Sequence, residues 1–152
     1  REVMRRGGVS QMDAGSCISV GGYGQMKREH QPDLQQFVLF DTRSLDDFAG
    51  DLCQEGYLPS FFTAGYREGR TGANFMPLAK HATVKTFCIA NGVLTFQEYL
   101  DDYASDAVRR VGLETIIPQY LGWLDQQAPG LAAKALANLA RMQREAVRDL
   151  HF

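Results

Sequence analysis

Apolar residues recur at helical spacing in the part of the chain that begins near residue 44. Ser44 is a candidate N-cap, with Asp47 three residues later in the place of a capping-box acid. Gly56 stands where a helix would end. Between them lies one stripe at positions i, i+3, i+4, i+7 and i+8, formed by Leu45, Phe48, Ala49, Leu52 and Cys53. The spacing predicts a helix with one buried face.

Two further apolar stripes follow in the second half of the chain. Thr95 is a candidate N-cap for a helix with the apolar positions Phe96, Tyr99, Leu100 and Tyr103. The next stripe consists of Leu113, Ile116, Ile117, Tyr120, Leu121 and Leu124. Pro118 lies inside it, and because an interior proline costs about 3 kcal/mol, we expect a kink or a helix restart there.

The last helix is predicted from about Pro129 to Leu150. Its apolar face would consist of Leu131, Ala135, Leu139, Met142, Ala146 and Leu150. Small residues beside this face would let a neighbouring helix approach closely: Ala132, Ala133 and Ala137.

The start of the chain has a different pattern of apolar and polar residues. Residues 1–6 are typical of the end of a helix that stops at Gly7-Gly8, and weak alternation over 9–14 predicts a short strand. Residues 25–36 form a polar loop, and a short helix is plausible over 73–80. The segment 57–62 is apolar and extended, although Pro59 argues against an interior strand. The predicted fold class is an α/β fragment that is mainly helical, with a few short strands.

Composition narrows the functional classes. The chain has 152 residues, a net charge of −2 and 45% hydrophobic residues, which suits one ordinary globular domain. Nothing indicates the basic patch that nucleic-acid binding needs, or an apolar run of the roughly 20 residues that span a bilayer. Because the chain begins at Arg1 within an apparent helix end, without an initiator Met, we expect a fragment of a longer chain.

Three cysteines are the main candidates for chemistry. Cys17, Cys53 and Cys88 are odd in number and far apart, which argues against a disulfide framework and for a reducing compartment, the cytoplasm. Cys53 lies on an apolar stripe and is expected to be buried. Cys17 lies in a glycine-rich loop after a predicted strand, where sites gather in α/β folds. For Cys88 the simplest interpretation is core packing.

Other polar residues carry weak signals. The histidines His30, His81 and His151 stand in no recognisable catalytic motif and are expected on the surface. The neighbouring carboxylates Asp101 and Asp102 point apart on a helix, so we expect a solvated face. The run from Gly21 to Gly24 matches no phosphate-binding fingerprint.

Several stretches together resemble one enzyme family. They occur in this order: Asp41-Thr42-Arg43-Ser44-Leu45-Asp46, Asp51-Leu52-Cys53, Gly56-Tyr57-Leu58-Pro59-Ser60-Phe61, Tyr66-Arg67-Glu68-Gly69-Arg70-Thr71-Gly72, Phe75-Met76, Leu94-Thr95-Phe96, Glu98-Tyr99-Leu100, Asp102-Tyr103-Ala104-Ser105 and Arg148-Asp149-Leu150-His151-Phe152. They resemble the C-terminal part of the radical-SAM [FeFe]-hydrogenase maturases that cleave tyrosine, which are relatives of the thiazole-forming tyrosine lyase and of biotin synthase.

The resemblance implies a parent fold and its cofactors. Residues 1–24 would be the last helix, strand and loop of a radical-SAM (β/α)₈ barrel, and 37–152 a helical C-terminal region of the biotin and thiamin synthesis-associated type. The family binds a [4Fe–4S] cluster and S-adenosylmethionine (SAM) through a CxxxCxxC loop early in the barrel, which this chain does not contain. We therefore expect no cofactor in this fragment and no SAM cleavage by it alone.

The chain departs from the family at its second cluster. The maturases hold an auxiliary cluster with Cys-x₂-Cys-x₂₂-Cys, and the matching positions here are Phe62, Gly65 and Cys88. Phenylalanine and glycine have no side-chain donor for iron, and a single thiolate is a poor anchor for an iron–sulfur cluster. The resemblance thus implies a lyase-like relative without the usual auxiliary cluster, with Cys88 as the remnant of its motif.

Two alternatives to this interpretation remain open. The region could be a non-catalytic binding or scaffold domain that docks on a partner chain. Alternatively, Cys17 and Cys88 could hold a metal ion together. Because one strand and one helix cannot close a barrel, we also expect a partner, either the remaining barrel or another copy of the chain in a homo-oligomer.

Overall fold

The computed structural model describes residues 12–16, 41, 43–61 and 84–152. The chain forms two compact units, Arg1–Phe48 and Ala49–Phe152. The described residues are mainly helical, as predicted, and contain no β-strand; residues 12–14 of the strand predicted over 9–14 have no regular structure. The Cys17 loop, the polar loop over 25–36 and the helix predicted over 73–80 lie outside the described residues.

Helix α1 spans Leu45–Gln54 and confirms the first prediction. The backbone N–H of Asp47 donates to Ser44 Oγ at 3.1 Å, and the Ser44 N–H donates back to the Asp47 carboxylate at 3.3 Å. This reciprocal pair is a capping box, with aspartate in place of the usual Glu or Gln. Gly56 has a φ of +81°, a left-handed conformation that glycine adopts without strain, so the chain turns away there.

Helix α2 spans Val84–Asp102, so the predicted N-cap at Thr95 is wrong. Thr95 lies inside the helix, where its hydroxyl donates to the carbonyl of Gly92 at 3.2 Å. Threonine tolerates helix interiors when its hydroxyl bonds back to the preceding turn, and here this bond replaces the capping role. The helix therefore begins twelve residues earlier than predicted and includes Cys88.

The next helical stretch confirms that the helix restarts at Pro118. Helix α3 spans Asp106–Val111 and passes through a π-helical turn, Gly112–Ile116, into helix α4, Ile117–Gln127. Pro118 lies in the first turn of α4, where a missing N–H is tolerated. In the π-turn the Ile117 N–H donates to the Gly112 carbonyl, five residues back. The wider turn keeps the helical direction without the bond that proline cannot make.

Helix α5 spans Pro129–Glu145, so the prediction that it continues to Leu150 is wrong. Ala146 adopts a left-handed conformation with a φ of +52°, which ends the helix. Residues 146–152, named here the return segment, then fold back onto α2. Side chains of α2 bind this segment, and these contacts replace the helical ones that the apolar periodicity predicted.

The core of the second unit surrounds α2. The largest fully buried side chains come from α2, α4, α5 and the π-turn: Phe96, Leu94, Leu100, Ile116, Leu124, Met142 and Val93. A smaller cluster beside it consists of Ala90, Leu124, Ala132 and Ala135. Leu121 and Phe152 pack against both clusters. Helix α2 is therefore the element on which the other parts of this unit are positioned.

Candidate functional site

The segment 57–61 packs directly on α2. A Cβ atom at Gly92 would lie 3.2 Å from Leu58 Cδ2 and 3.3 Å from Ser60 Cβ, so the close approach depends on glycine. The Phe61 N–H donates to Thr95 Oγ1 at 3.3 Å, and the Phe61 ring stacks on Tyr99 with centroids 4.6 Å apart. These contacts hold the chain in place immediately before residue 62.

Tyr120 fixes the same segment from α4. Its hydroxyl accepts a hydrogen bond from the Leu58 N–H at 3.3 Å and donates one to the Gly56 carbonyl at 3.2 Å. Partial burial raises the pKa of this hydroxyl, so it remains a neutral donor at neutral pH. The segment is therefore held between α2 and α4 by hydrogen bonds to backbone groups.

Cys88 lies one helical turn before Gly92 on α2 and is exposed, so the interpretation that it packs in the core is wrong. Cys53 is buried in the core, as predicted. The described residues thus bring the segment that leads into Phe62 onto the helix that carries Cys88. Phe62, Gly65 and Cys17 lie outside the described residues.

The return segment binds α2 along a neighbouring stripe. Arg148 pairs with both carboxylate oxygens of Asp102, at 2.8 and 2.6 Å. The Asp149 N–H donates to the Glu98 carboxylate, and the Phe152 N–H donates to Asn91 Oδ1 at 2.8 Å. The Arg148 guanidinium lowers the pKa of Asp102, so this carboxyl stays ionised at neutral pH.

In helical projection, Cys88 lies on the stripe of α2 that segment 57–61 contacts. At about 100° per residue, Gly92 lies about 40° from Cys88, Thr95 and Tyr99 lie about 20° from it on either side, and Asn91 lies about 60° away. The segment 57–61 packs at Gly92, and the return segment ends at Asn91. The exposed turn of Cys88 therefore precedes a stretch of α2 to which both segments bind, along two neighbouring stripes.

The other candidates have structural roles where they are described. Asp101 and Asp102 were expected to be a solvated pair, but both carboxylates lie within 4 Å of Arg148, at 3.8 and 2.6 Å. His151 is exposed, as predicted, with Nδ1 3.1 Å from the Asp149 carbonyl oxygen. Within the described ranges, no group of three or more His, Cys, Asp or Glu side chains could hold a metal ion.

Three contact residues were missed by sequence reasoning: Asn91, Thr95 and Tyr120. The dipeptide Asn91-Gly92 carried a usable signal, because both residues are poor helix formers and inside a helix they often mark a close contact. Tyr120 stood on an apolar stripe, where nothing distinguished its hydroxyl from that of any core tyrosine.

No described helix is long and apolar enough to cross a membrane.

Comparisons with known proteins show a similarity to one solved structure of a maturase. The chain matches no model of a protein family, and it matches none of the curated proteins searched. It is similar to the crystal structure of HydG, a maturase of the [FeFe]-hydrogenase, with 37% sequence identity over 91% of this chain and a TM-score of 0.76. The chain spans 28% of the length of that protein. Its fold and sequence thus resemble one part of a hydrogenase maturase.

Proposed function

We propose that this chain is the C-terminal helical region of a radical-SAM, tyrosine-lyase-like protein that lacks the usual auxiliary iron–sulfur cluster. The observation that carries the proposal is the similarity to HydG at 37% identity over 91% of the chain. The ordered motifs of the sequence agree with it. The barrel, its [4Fe–4S] cluster and its SAM site would belong to residues outside this chain.

Loss of the auxiliary cluster follows from donor chemistry. Phe62 and Gly65 occupy two of the three positions at which the family supplies thiolates, and only Cys88 remains. A benzyl group and a hydrogen atom cannot replace two thiolates, so these residues do not fit a cubane.

Reconstitution with iron and sulfide tests the proposal on the full-length protein. The wild type is expected to hold one cubane, bound in the barrel. A Phe62→Cys/Gly65→Cys variant restores all three thiolates and is expected to hold a second one, and adding Cys88→Ser to that variant should abolish the gain. Two cubanes in the wild type would refute the loss of the cluster.

Activity separates this proposal from a scaffold role. In the family, tyrosine cleavage belongs to the barrel cluster, so the wild-type full-length protein is expected to consume tyrosine and SAM without the auxiliary cluster. If the full-length protein has no CxxxCxxC loop and consumes neither compound, the docking role on a partner chain is the better explanation.

A further inference from the structure

The return segment is bound to α2 at three successive levels. Arg148 binds Asp102 at the end of the helix, the Asp149 N–H binds Glu98 one turn earlier, and the Phe152 N–H binds Asn91 two further turns back. The segment therefore runs along α2 towards the turn that carries Cys88.

The last of these contacts is the most buried. Asn91 is only 7% exposed, and its side-chain oxygen accepts the Phe152 N–H. The Phe152 side chain packs against both hydrophobic clusters. Withdrawal of Phe152 would leave the buried Asn91 amide oxygen without this partner and uncover apolar surface of the clusters, so the closed state is favoured.

The backbone conformation of the return segment and its exposed ion pair favour opening instead. Ala146 and Asp149 have φ values of +52° and +61°, in a region that non-glycine residues rarely occupy. The outer anchor is solvent-accessible, since the Arg148 and Asp102 side chains are 34% and 37% exposed. Exposed ion pairs contribute little and are weakened by salt. The strained backbone and the weak outer ion pair therefore lower the free energy that is needed to open the return segment.

We propose that the return segment is a releasable latch whose closure positions the first half of α2, and with it Cys88. In the closed state Asn91 holds Phe152 within one turn of Cys88. Opening starts at the Arg148 anchor, releases Phe152 and loosens the turn from residue 88 to residue 92. The latch does not rest on the proposed function, because it is tested by local hydrogen exchange and thiol accessibility and not by enzyme activity or cluster content.

Hydrogen exchange and thiol alkylation on the full chain test the latch. The wild type is compared with Arg148→Ala, Asp102→Ala and the double variant, with both readouts resolved by peptide. Arg144→Ala is the matched control, because Arg144 is exposed on α5 and bonds the Ala140 carbonyl of its own helix. Cys53 is the internal reference, since it is buried in the core.

Each single variant is expected to speed hydrogen exchange of the Phe152 amide and of the amides over 88–92 by about five-fold. The rate of Cys88 alkylation should rise in the same variants. The double variant should match Arg148→Ala, because that variant already removes the pairing with Asp102, whereas Asp102→Ala leaves the Asp101 carboxylate 3.8 Å from the guanidinium. The control, the Cys53 thiol and the α4 amides should not change.

Three results would overturn the latch. The Phe152 amide could exchange as slowly in Arg148→Ala as in the wild type, which would mean that Arg148 does not hold the segment. Phe152 could exchange faster while Cys88 and residues 88–92 do not change, which would mean that the segment does not position them. Faster exchange throughout α2, α4 and α5 would show general destabilisation instead of a local release.

Discussion

Replacing Gly112 with alanine tests the close packing of the π-turn against α2. A Cβ atom at Gly112 would lie 2.5 Å from Leu100 Cδ1, 2.8 Å from Leu100 Cδ2 and 3.1 Å from Phe96 Cε1. Leu100 and Phe96 are both fully buried, so their side chains have little room to move aside. Overpacking of this kind costs about 1–3 kcal/mol, and alanine recovers at most about 1 kcal/mol of helix propensity. The net expectation is a loss of about 1 kcal/mol.

Gly122→Ala supplies the matched control. Gly122 lies within α4, and a Cβ atom there would have no neighbour within 4 Å. The same substitution should therefore stabilise the protein by about 0.4–1 kcal/mol, since alanine reduces the conformational freedom of the unfolded chain. The two variants are expected to differ by about 2 kcal/mol in the free energy of unfolding.

Urea unfolding followed by far-UV circular dichroism measures this difference. With an m-value of about 2 kcal/mol/M, the two midpoints should be separated by roughly 1 M, with Gly112→Ala below the wild type and Gly122→Ala above it. If Gly112→Ala unfolds at the same urea concentration as Gly122→Ala, or at a higher one, the close approach of the π-turn to α2 is wrong.

Two further predictions concern the segments bound to α2. Tyr120→Phe removes the hydroxyl that bonds Leu58 and Gly56, so it should cost about 1–3 kcal/mol in urea unfolding and speed exchange of the Leu58 amide; an unchanged Leu58 amide would contradict this contact. The Asp102 carboxyl should titrate below its ordinary pKa of 3.8 in an NMR titration, because the Arg148 guanidinium stabilises the carboxylate, and Arg148→Ala should return it towards 3.8. Since the folded pKa is the lowered one, this contribution to stability is present above the unfolded value and is lost as the pH falls through the folded pKa. Equal titration midpoints in the two proteins would contradict the pairing.

Local signals in the sequence predicted the features that depend on neighbouring residues. The capping box at Ser44, the glycine at position 56 and the helix restart at Pro118 were all predicted correctly. Each depends on contacts within one turn of the chain, or on the fixed geometry of proline and glycine. The burial of Cys53 followed from its place on an apolar stripe.

The errors came from contacts between distant residues. Thr95 resembles a helix start in sequence, but it lies inside Val84–Asp102, where Gly92 admits segment 57–61 and Asn91 binds Phe152. The periodicity of α5 extends to Leu150, but the left-handed Ala146 and the bonds to α2 end that helix at Glu145. No pattern confined to a short window can reveal partners that lie 34 to 61 residues away.

The correspondence of Phe62, Gly65 and Cys88 to a cluster motif came from resemblance, since spacing alone does not identify iron ligands when two of the donors are absent. The structure adds that Cys88 is exposed. The iron count of the reconstituted full-length protein tests this correspondence directly.

The return segment is synthesised after the helix to which it binds. Ribosomes make proteins from the N-terminus, so all of α2 emerges well before Arg148 and Phe152 exist. Until then Asn91 lacks the backbone N–H that it binds in the folded protein, and Asp102 lacks its guanidinium partner. A nascent chain that stalls before residue 148 would therefore present the Cys88 helix without the return segment that binds it.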